Sequence, residues 1–278
     1  MLRRTLPLWF VSLFLALLAG HKGAHARDWS TVVVTKADGT RARYAVGQRL
    51  GSGGWADVYA GHDLATGQKV ALKILNIQYQ AGRVHGQPVL QYEHQVLSAL
   101  EKAQAGLPRS FGFGATDDAA ARPTLVMELV PGTSLGPNWR AADRARPVGK
   151  AVRVVIKLAE DVERMHQAGW SHNDIHPGNV KIDNDRSATA RLVDVGLVGP
   201  YRPGGRDPDL ESKGYLGLAR LGLALLTGGR TNDPQPLASL SLTQGVGRDL
   251  AAVMSRALSG GYASAGDFAR ALAPFRNL

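Results

Sequence analysis

A carboxylate, an amide and a second carboxylate recur in this chain at intervals that leave few ways to fold it. The stretch Ser171-His172-Asn173-Asp174-Ile175-His176-Pro177-Gly178-Asn179 is followed, fifteen residues after Asn179, by Asp194-Val195-Gly196. This is the spacing a phosphoryl-transfer site needs. Asp174 can orient a hydroxyl nucleophile, and Asn179, five residues on, can hold magnesium on ATP phosphates together with Asp194.

The rest of the composition bounds the setting. A length of 278 residues allows one large domain or one domain of two lobes, and 44% hydrophobic residues is enough for a sizeable core. The net charge of +10 favours solubility and weak attraction to anions such as nucleotides. No Lys/Arg cluster is interleaved with aromatics, so nucleic-acid binding is not expected. The absence of cysteine excludes disulfides, thiolate catalysis and cysteine-ligated zinc. Residues 1–26 read as a signal peptide or membrane anchor. Arg3 and Arg4 form a basic head, Leu6 to Ala19 is apolar apart from Pro7 and Ser12, and Ala24-His25-Ala26 offers a cleavage site. The expectation is a chain exported to the periplasm or medium, or anchored to the inner membrane through residues 5–20. A mis-assigned start codon would leave it cytoplasmic.

Residues 31–130 read mostly as a small antiparallel sheet with one helix. Strands are predicted at Thr31 to Val34, Arg41 to Leu50, around Val58-Tyr59-Ala60, at Lys69 to Leu75 and at Thr124 to Leu129, with turns at Ala37-Asp38-Gly39-Thr40 and Ala65-Thr66-Gly67. Gln87 to Leu100 has helical spacing, with Leu90, Val96, Leu97 and Leu100 on one face. After Pro131-Gly132 the pattern turns helical. Helices are predicted at Ala151 to Ala168, Leu210 to Leu226, 248–258 and 264–273. The fold class is therefore α+β and bilobal: an N-terminal strand extension at 27–43, a sheet-rich lobe at 44–130 and a helical lobe at 131–278. The cleft between the lobes is a natural place for a ligand.

Three further segments carry chemistry. Leu50-Gly51-Ser52-Gly53-Gly54-Trp55-Ala56-Asp57-Val58 is a glycine-rich hairpin, whose backbone can approach phosphates and turn its N–H groups toward them; a plain hairpin reads the same way. Val70-Ala71-Leu72-Lys73 sets a lysine in an apolar strand, where an amine is costly unless it meets an anion. Glu93, twenty residues on and on the predicted helix, could supply one and ATP another. Leu125 to Gly132 would join the lobes, with backbone at Glu128 and Val130 available to adenine.

In this order the segments resemble the eukaryotic-type protein kinase superfamily, as found among bacterial Ser/Thr kinases, from about Tyr44 to Ala273. The resemblance implies that Leu50, Gly51, Gly53, Val58, Ala71, Lys73, Glu128 and Val130 surround ATP. It implies that Lys73 grips the phosphates with Glu93 as its partner, that Asp174 is the catalytic base, and that Asn179 and Asp194 are the magnesium ligands. Ala56 stands where the third glycine of the loop usually sits, and Val195 where the metal-binding triplet usually has phenylalanine.

The departures bear on substrate and control. Asn173 replaces the arginine that receives an activating phosphate in many kinases, and Val195 to Pro208 offers Tyr201 but no serine or threonine; activity is therefore expected not to be switched there. His176 replaces the lysine usual in Ser/Thr kinases and looks more like the aminoglycoside and choline phosphotransferase branch. Asp209, resembling the aspartate that braces the catalytic loop, follows Asp194 by only fifteen residues, and no Ala-Pro-Glu motif is present. Its usual arginine partner is missing too, at Gly260 to Ala265, so both halves of one buried ion pair are absent together. The leading expectation is an ATP- and Mg2+-dependent Ser/Thr protein kinase. The alternatives are a small-molecule kinase, or a pseudokinase acting as a nucleotide-binding or interaction module.

Overall fold

The computed structural model describes residues 30–36, 38–79, 83–84, 87–137, 142–201, 214–229 and 247–278. The leader expected at 1–26 lies outside them. The first half contains strands β1 (Thr31–Thr35), β2 (Arg41–Ser52), β3 (Ala56–Asp63) and β4 (Lys69–Leu75), a two-residue hairpin of β5 (Arg83–Val84) and β6 (Gln87–Pro88), helix α1 (Val89–Lys102), and strands β7 (Ser110–Thr116) and β8 (Pro123–Glu128). Pro88, extended at ψ 136°, is the N-cap of α1, so the helix starts at Val89, two residues later than its apolar spacing suggests.

The sheet runs β1-β2-β3-β4-β8-β7 and closes into an antiparallel barrel, because β1 pairs with both β2 and β7. The N-terminal strand is thus part of the sheet, and the division expected at residue 43 falls inside β2. Val32, Val34, Tyr44, Val70, Leu72 and Val126 fill the barrel. Its seam depends on glycine in β7. A Cβ on Gly114 would lie 2.0 Å from the Val33 carbonyl oxygen and 2.6 Å from Val34 Cα; one on Gly112, at φ +153°, would lie 2.7 Å from the Thr35 oxygen. Only residues without side chains let β1 lie this close.

The second half contains β9 (Thr133–Ser134), α2 (Val148–Gln167), β10 (Trp170–Ser171), β11 (Val180–Ile182), β12 (Arg191–Leu192), β13 (Gly199–Pro200), α3 (Tyr215–Thr227), α4 (Arg248–Leu258) and α5 (Ala265–Leu272). Helix α2 buries the predicted stripe of Val154, Val155, Leu158, Val162 and Met165. Helix α3 is apolar on nearly every side and accordingly sits inside the lobe; residues 210–213 of its expected span lie outside the described residues. One core joins the helices of this lobe to α1 and to Ala71, Leu75, Leu125 and Met127 on the outer face of the barrel. Each fully buried leucine in it stabilises the fold by about 1.5–3 kcal/mol. Helix α1 is therefore wedged between barrel and helical lobe, and its polar residues meet those of the cleft.

Candidate active site

Lys73 lies in the middle of β4, opposite Val58 of β3 and Leu125 of β8. It is 7% exposed, and Glu93 on α1 is 2% exposed. The Lys73 ammonium Nζ donates to both Glu93 carboxylate oxygens, at 2.9 and 2.8 Å, and to Asp194 Oδ1 at 2.8 Å. Burial works to lower the pKa of Lys73, but the Asp194 and Glu93 carboxylates outweigh it and hold the proton on. Burial pushes the Glu93 carboxyl up to about 7, against the pull of Lys73. For Asp194 burial acts in the same upward sense, yet its side chain stays 45% accessible. Lys73 and the Gly196 N–H prevail there and hold it at about 2. One ammonium thus faces two carboxyl groups, and the deficit of positive charge lies on the accessible Asp194 side.

Local backbone sets this geometry. Asp194 sits at φ +73°, a left-handed conformation that Asp tolerates better than most residues. A Cβ on Gly196 would stand 3.2 Å from both Glu93 Oε1 and Asp194 Oδ1, so glycine keeps a methyl group out of the charged cluster. The Val193 N–H donates to the Asn179 carbonyl at 2.8 Å and brings the two halves of the motif together.

Asn179 donates through Nδ2 to Asp174 Oδ2 at 2.9 Å and to the Asp174 carbonyl at 3.1 Å. Its amide oxygen is thereby left as the atom that can face a cation. His176 caps the turn Pro177–Asn179, its Nδ1 accepting from the Gly178 N–H at 3.1 Å. The ring proton therefore sits on Nε2, which lies 3.6 Å from Asp174 Oδ1. His176 both bonds within its loop and faces the candidate base. His172 is fully buried, and burial holds its imidazole down at about 4.

Of the expected nucleotide residues, Gly51 pairs with Val58 and Val58 with Lys73, so the glycine-rich hairpin lies beside the charged cluster. The Gly53 N–H donates to the Ala56 carbonyl at 2.9 Å, and Trp55 at the tip rests against Tyr79, ring centres 5.1 Å apart. Leu50 is half exposed. Ala71 pairs with Met127, one residue before Glu128, and Val130 is buried. The Glu128 N–H donates to the Arg109 carbonyl at 2.8 Å, so of its backbone only the carbonyl is left for the adenine role. Its carboxylate is held by Arg191, Nη1 to Oε1 at 2.5 Å and Nη2 to Oε2 at 3.0 Å, which keeps it below the usual carboxylate range. A cavity of about 370 Å3 lies on that outer side of the hinge and includes none of Lys73, Asp174, Asn179 or Asp194 in its lining.

The protein kinase domain family matches residues 44–216. The chain belongs to this family. Over 164 residues, 58% of its length, the kinase chain is 35% identical to the serine/threonine-protein kinase pkn2 of Myxococcus xanthus, of which the matched part is 19%. Over 157 residues, 56% of its length, it is 30% identical to a probable serine/threonine-protein kinase of Corynebacterium efficiens, of which 23% is covered. It thus spans about a fifth of the length of these curated relatives. The kinase domain of Mycobacterium tuberculosis PknI superposes with a TM-score of 0.61 at 23% identity, covering 90% of this chain and 99% of that one. At that identity the agreement is one of fold, and it is the α+β, two-lobed fold read from the sequence.

Within this kinase fold the described residues just after Asp194 are held by contacts from the chain itself. Strands β10 and β13 pair, Asn173 Nδ2 donates to the Leu197 carbonyl at 3.1 Å, and Tyr92 on α1 donates its hydroxyl to the Val198 carbonyl at 3.1 Å. Asp209 lies outside the described residues. Sequence reasoning missed Tyr92 and Arg191. Tyr92 looks like an ordinary helix residue, but Arg191 carried a signal: like Lys73, it is a cation set among apolar neighbours, Ala190 and Leu192.

Proposed function

We propose that this chain is an ATP- and Mg2+-dependent phosphotransferase, a serine/threonine protein kinase, that moves a γ-phosphoryl group to a hydroxyl. The observation that carries this reading is the contact of Lys73 with Glu93 and Asp194, residues far apart in sequence, together with the Asp174–Asn179 contact. A pseudokinase has no need to keep all five.

The residues present fit the nucleotide and the metal. A Cβ on Gly51 would meet no protein atom within 4 Å, so the backbone of the hairpin is open there to the approach of phosphates. The Asn179 amide oxygen and the Asp194 carboxylate form an all-oxygen donor set suited to magnesium. When bound, the ion would neutralise charge on the phosphates. Lys73 offers an ammonium to those phosphates, and Glu93 keeps it in place. Asp174 orients the acceptor hydroxyl and takes its proton, its carboxylate aimed by Asn179. His176 presents an N–H beside Asp174, where it can bond the acceptor or a phosphate oxygen.

One reading of the substrate competes. The fifteen-residue step from Asp194 to Asp209 and the histidine at 176 both suit a small hydroxyl compound better than a bound peptide. The deciding experiment is transfer of labelled phosphate from ATP by the purified chain and by Asp174→Asn, offering a generic protein, the chain itself, an aminoglycoside and choline. Label on protein, reduced at least about 100-fold by the substitution, supports the protein kinase. Label only on a small acceptor moves the assignment to that branch. No label on any acceptor from a chain that binds ATP returns it to a pseudokinase.

We also read residues 1–26 as exporting or anchoring the chain. Among the described residues no helix is long and apolar enough to cross a membrane, so anchoring would rest on that segment. Fractionation of cells expressing the chain with and without it tests this.

A further inference from the structure

We propose that Arg191 is a positioning residue that fixes the distance between the base and metal ends of the bound nucleotide; this rests on the nucleotide reading above. Its guanidinium reaches three residues on two separate segments at once. It forks onto the Glu128 carboxylate at the hinge, as described. Nε donates to the Gly106 carbonyl at 3.0 Å and Nη2 to the Leu107 carbonyl at 2.7 Å, both in the loop that follows α1. Along its own strand the chain continues from Arg191 to Asp194 in three residues. The segment leading to Asp194 is therefore tied to the hinge and to the loop that follows the helix carrying Glu93.

One acceptor is confined by its packing. Gly106 sits at φ +72°, and a Cβ there would lie 2.5 Å from the buried Asp161 carboxylate, so this residue packs against a buried group and must be glycine. Asp161 in turn is held by Lys157 and Arg164. Arg191 makes four bonds to four acceptor atoms from three nitrogens of one planar group; a lysine ammonium has three donors on one atom and cannot reach all four. The clamp borders the 370 Å3 cavity that also meets Val130, Lys157 and Thr189. Shortening Arg191 would admit water there and would not leave a sealed void, so the variant should fold.

A nucleotide gains affinity by holding base and phosphates at two subsites simultaneously, which requires their separation to be set in advance. Calorimetric titration of the full chain with adenosine and with Mg-ATP separates the two. In Arg191→Ala, Mg-ATP binding should weaken by about tenfold while adenosine binding changes less than about twofold. Arg191→Lys should recover less than half of the loss. Glu128→Gln should act in the same direction and add little on top of Arg191→Ala. Equal weakening of both ligands, or full recovery with lysine, would overturn the inference and leave Arg191 a general stabiliser. Wild-type binding of Mg-ATP with no change in Arg191→Ala would overturn the clamp alone. Failure of the wild-type chain to bind either ligand would overturn the nucleotide reading itself. If Arg191→Ala does not fold, the Glu128→Gln titration decides the same question.

Discussion

Leu72 and Lys73 are neighbours on β4 and face opposite sides of it. Leu72 points into the closed barrel, wholly buried, its Cδ1 filling space that a Cβ on Gly61 would occupy at 2.6 Å. Lys73 points to the cleft, almost as deeply buried, among carboxylates from residues 93 and 194. The inner face is satisfied by its own sheet. The outer face is completed only by α1 and by the segment reaching Asp194. One strand thus separates what stabilises the fold from what equips the site, and substitutions on its two faces should fail differently.

The largest effect should come from the outer face. Lys73→Met should lower phosphate transfer at least about 100-fold, the scale of losing one positioned cation at a charged transition state. Removing one partner of a buried pair also costs about 3–5 kcal/mol. That second loss should depend on pH. Glu93 has a folded-state pKa raised to about 7, so its native form binds a proton more readily than the unfolded chain. Stability therefore falls as pH rises through the interval from the ordinary carboxylate range to about 7. Without the ammonium this dependence steepens, because only protonation can neutralise Glu93. The gap in melting temperature between wild type and Lys73→Met should narrow from pH 8 to pH 5.5. A gap that stays constant would mean that Glu93 is not the group left uncompensated.

On the inner face, Leu72→Ala should cost about 2–5 kcal/mol by leaving a cavity, with the KM for ATP unchanged in the folded fraction. Gly114→Val is the companion at the barrel seam. Its side chain has no room against the Val33 carbonyl, so β1 should detach and the amides of Val32 and Val34 should exchange faster with solvent. A marked rise in the KM for ATP in either variant would break the separation between the faces.

The two faces were not equally legible. Lys73 stood out because an amine in an apolar strand needs a partner, Asp174, Asn179 and Asp194 through their spacing, and Glu93 through its place on the predicted helix together with the resemblance to kinases. The barrel did not. Its closing partner, β7, reads Ser-Phe-Gly-Phe-Gly-Ala-Thr, and glycine at alternate positions argues against a strand by propensity. Those glycines exist because β1 lies on top of them, a contact between residues about eighty positions apart that no local pattern carries. The partners of Arg191 were hidden for the same reason: its hinge carboxylate and its loop carbonyls lie sixty to eighty residues away.

Burial of histidine should set a smaller, separate limit on the cleft side. His166 and His172 are buried, and burial lowers both to about 4. Such groups contribute stability present above the unfolded value near 6.5 and lost as pH falls toward 4, because the unfolded chain takes up the protons first. The expected loss is on the order of 2–3 kcal/mol for each. Melting temperature should fall across that window, and less so in His172→Asn.

The smallest effect should come from Tyr201, and it tests whether the cleft face needs a switch at all. Tyr201 is the phosphorylatable residue between Val195 and Pro208, yet its ring lies flat on His166, centres 3.9 Å apart, and its N–H donates to the Gly169 carbonyl at 2.7 Å. The segment behind it is already held by Asn173, Tyr92 and β10. A phosphate would have to leave the stack, and the place of its usual receptor is taken by Asn173, whose amide is bonded to the Leu197 carbonyl. Tyr201→Phe keeps the stack and should leave phosphate transfer within about twofold of wild type, because a hydroxyl without a catalytic partner contributes little to the transition state. A many-fold rise on phosphorylating Tyr201, absent in the Phe variant, would show that the assembled cluster around Lys73 is not by itself the active arrangement.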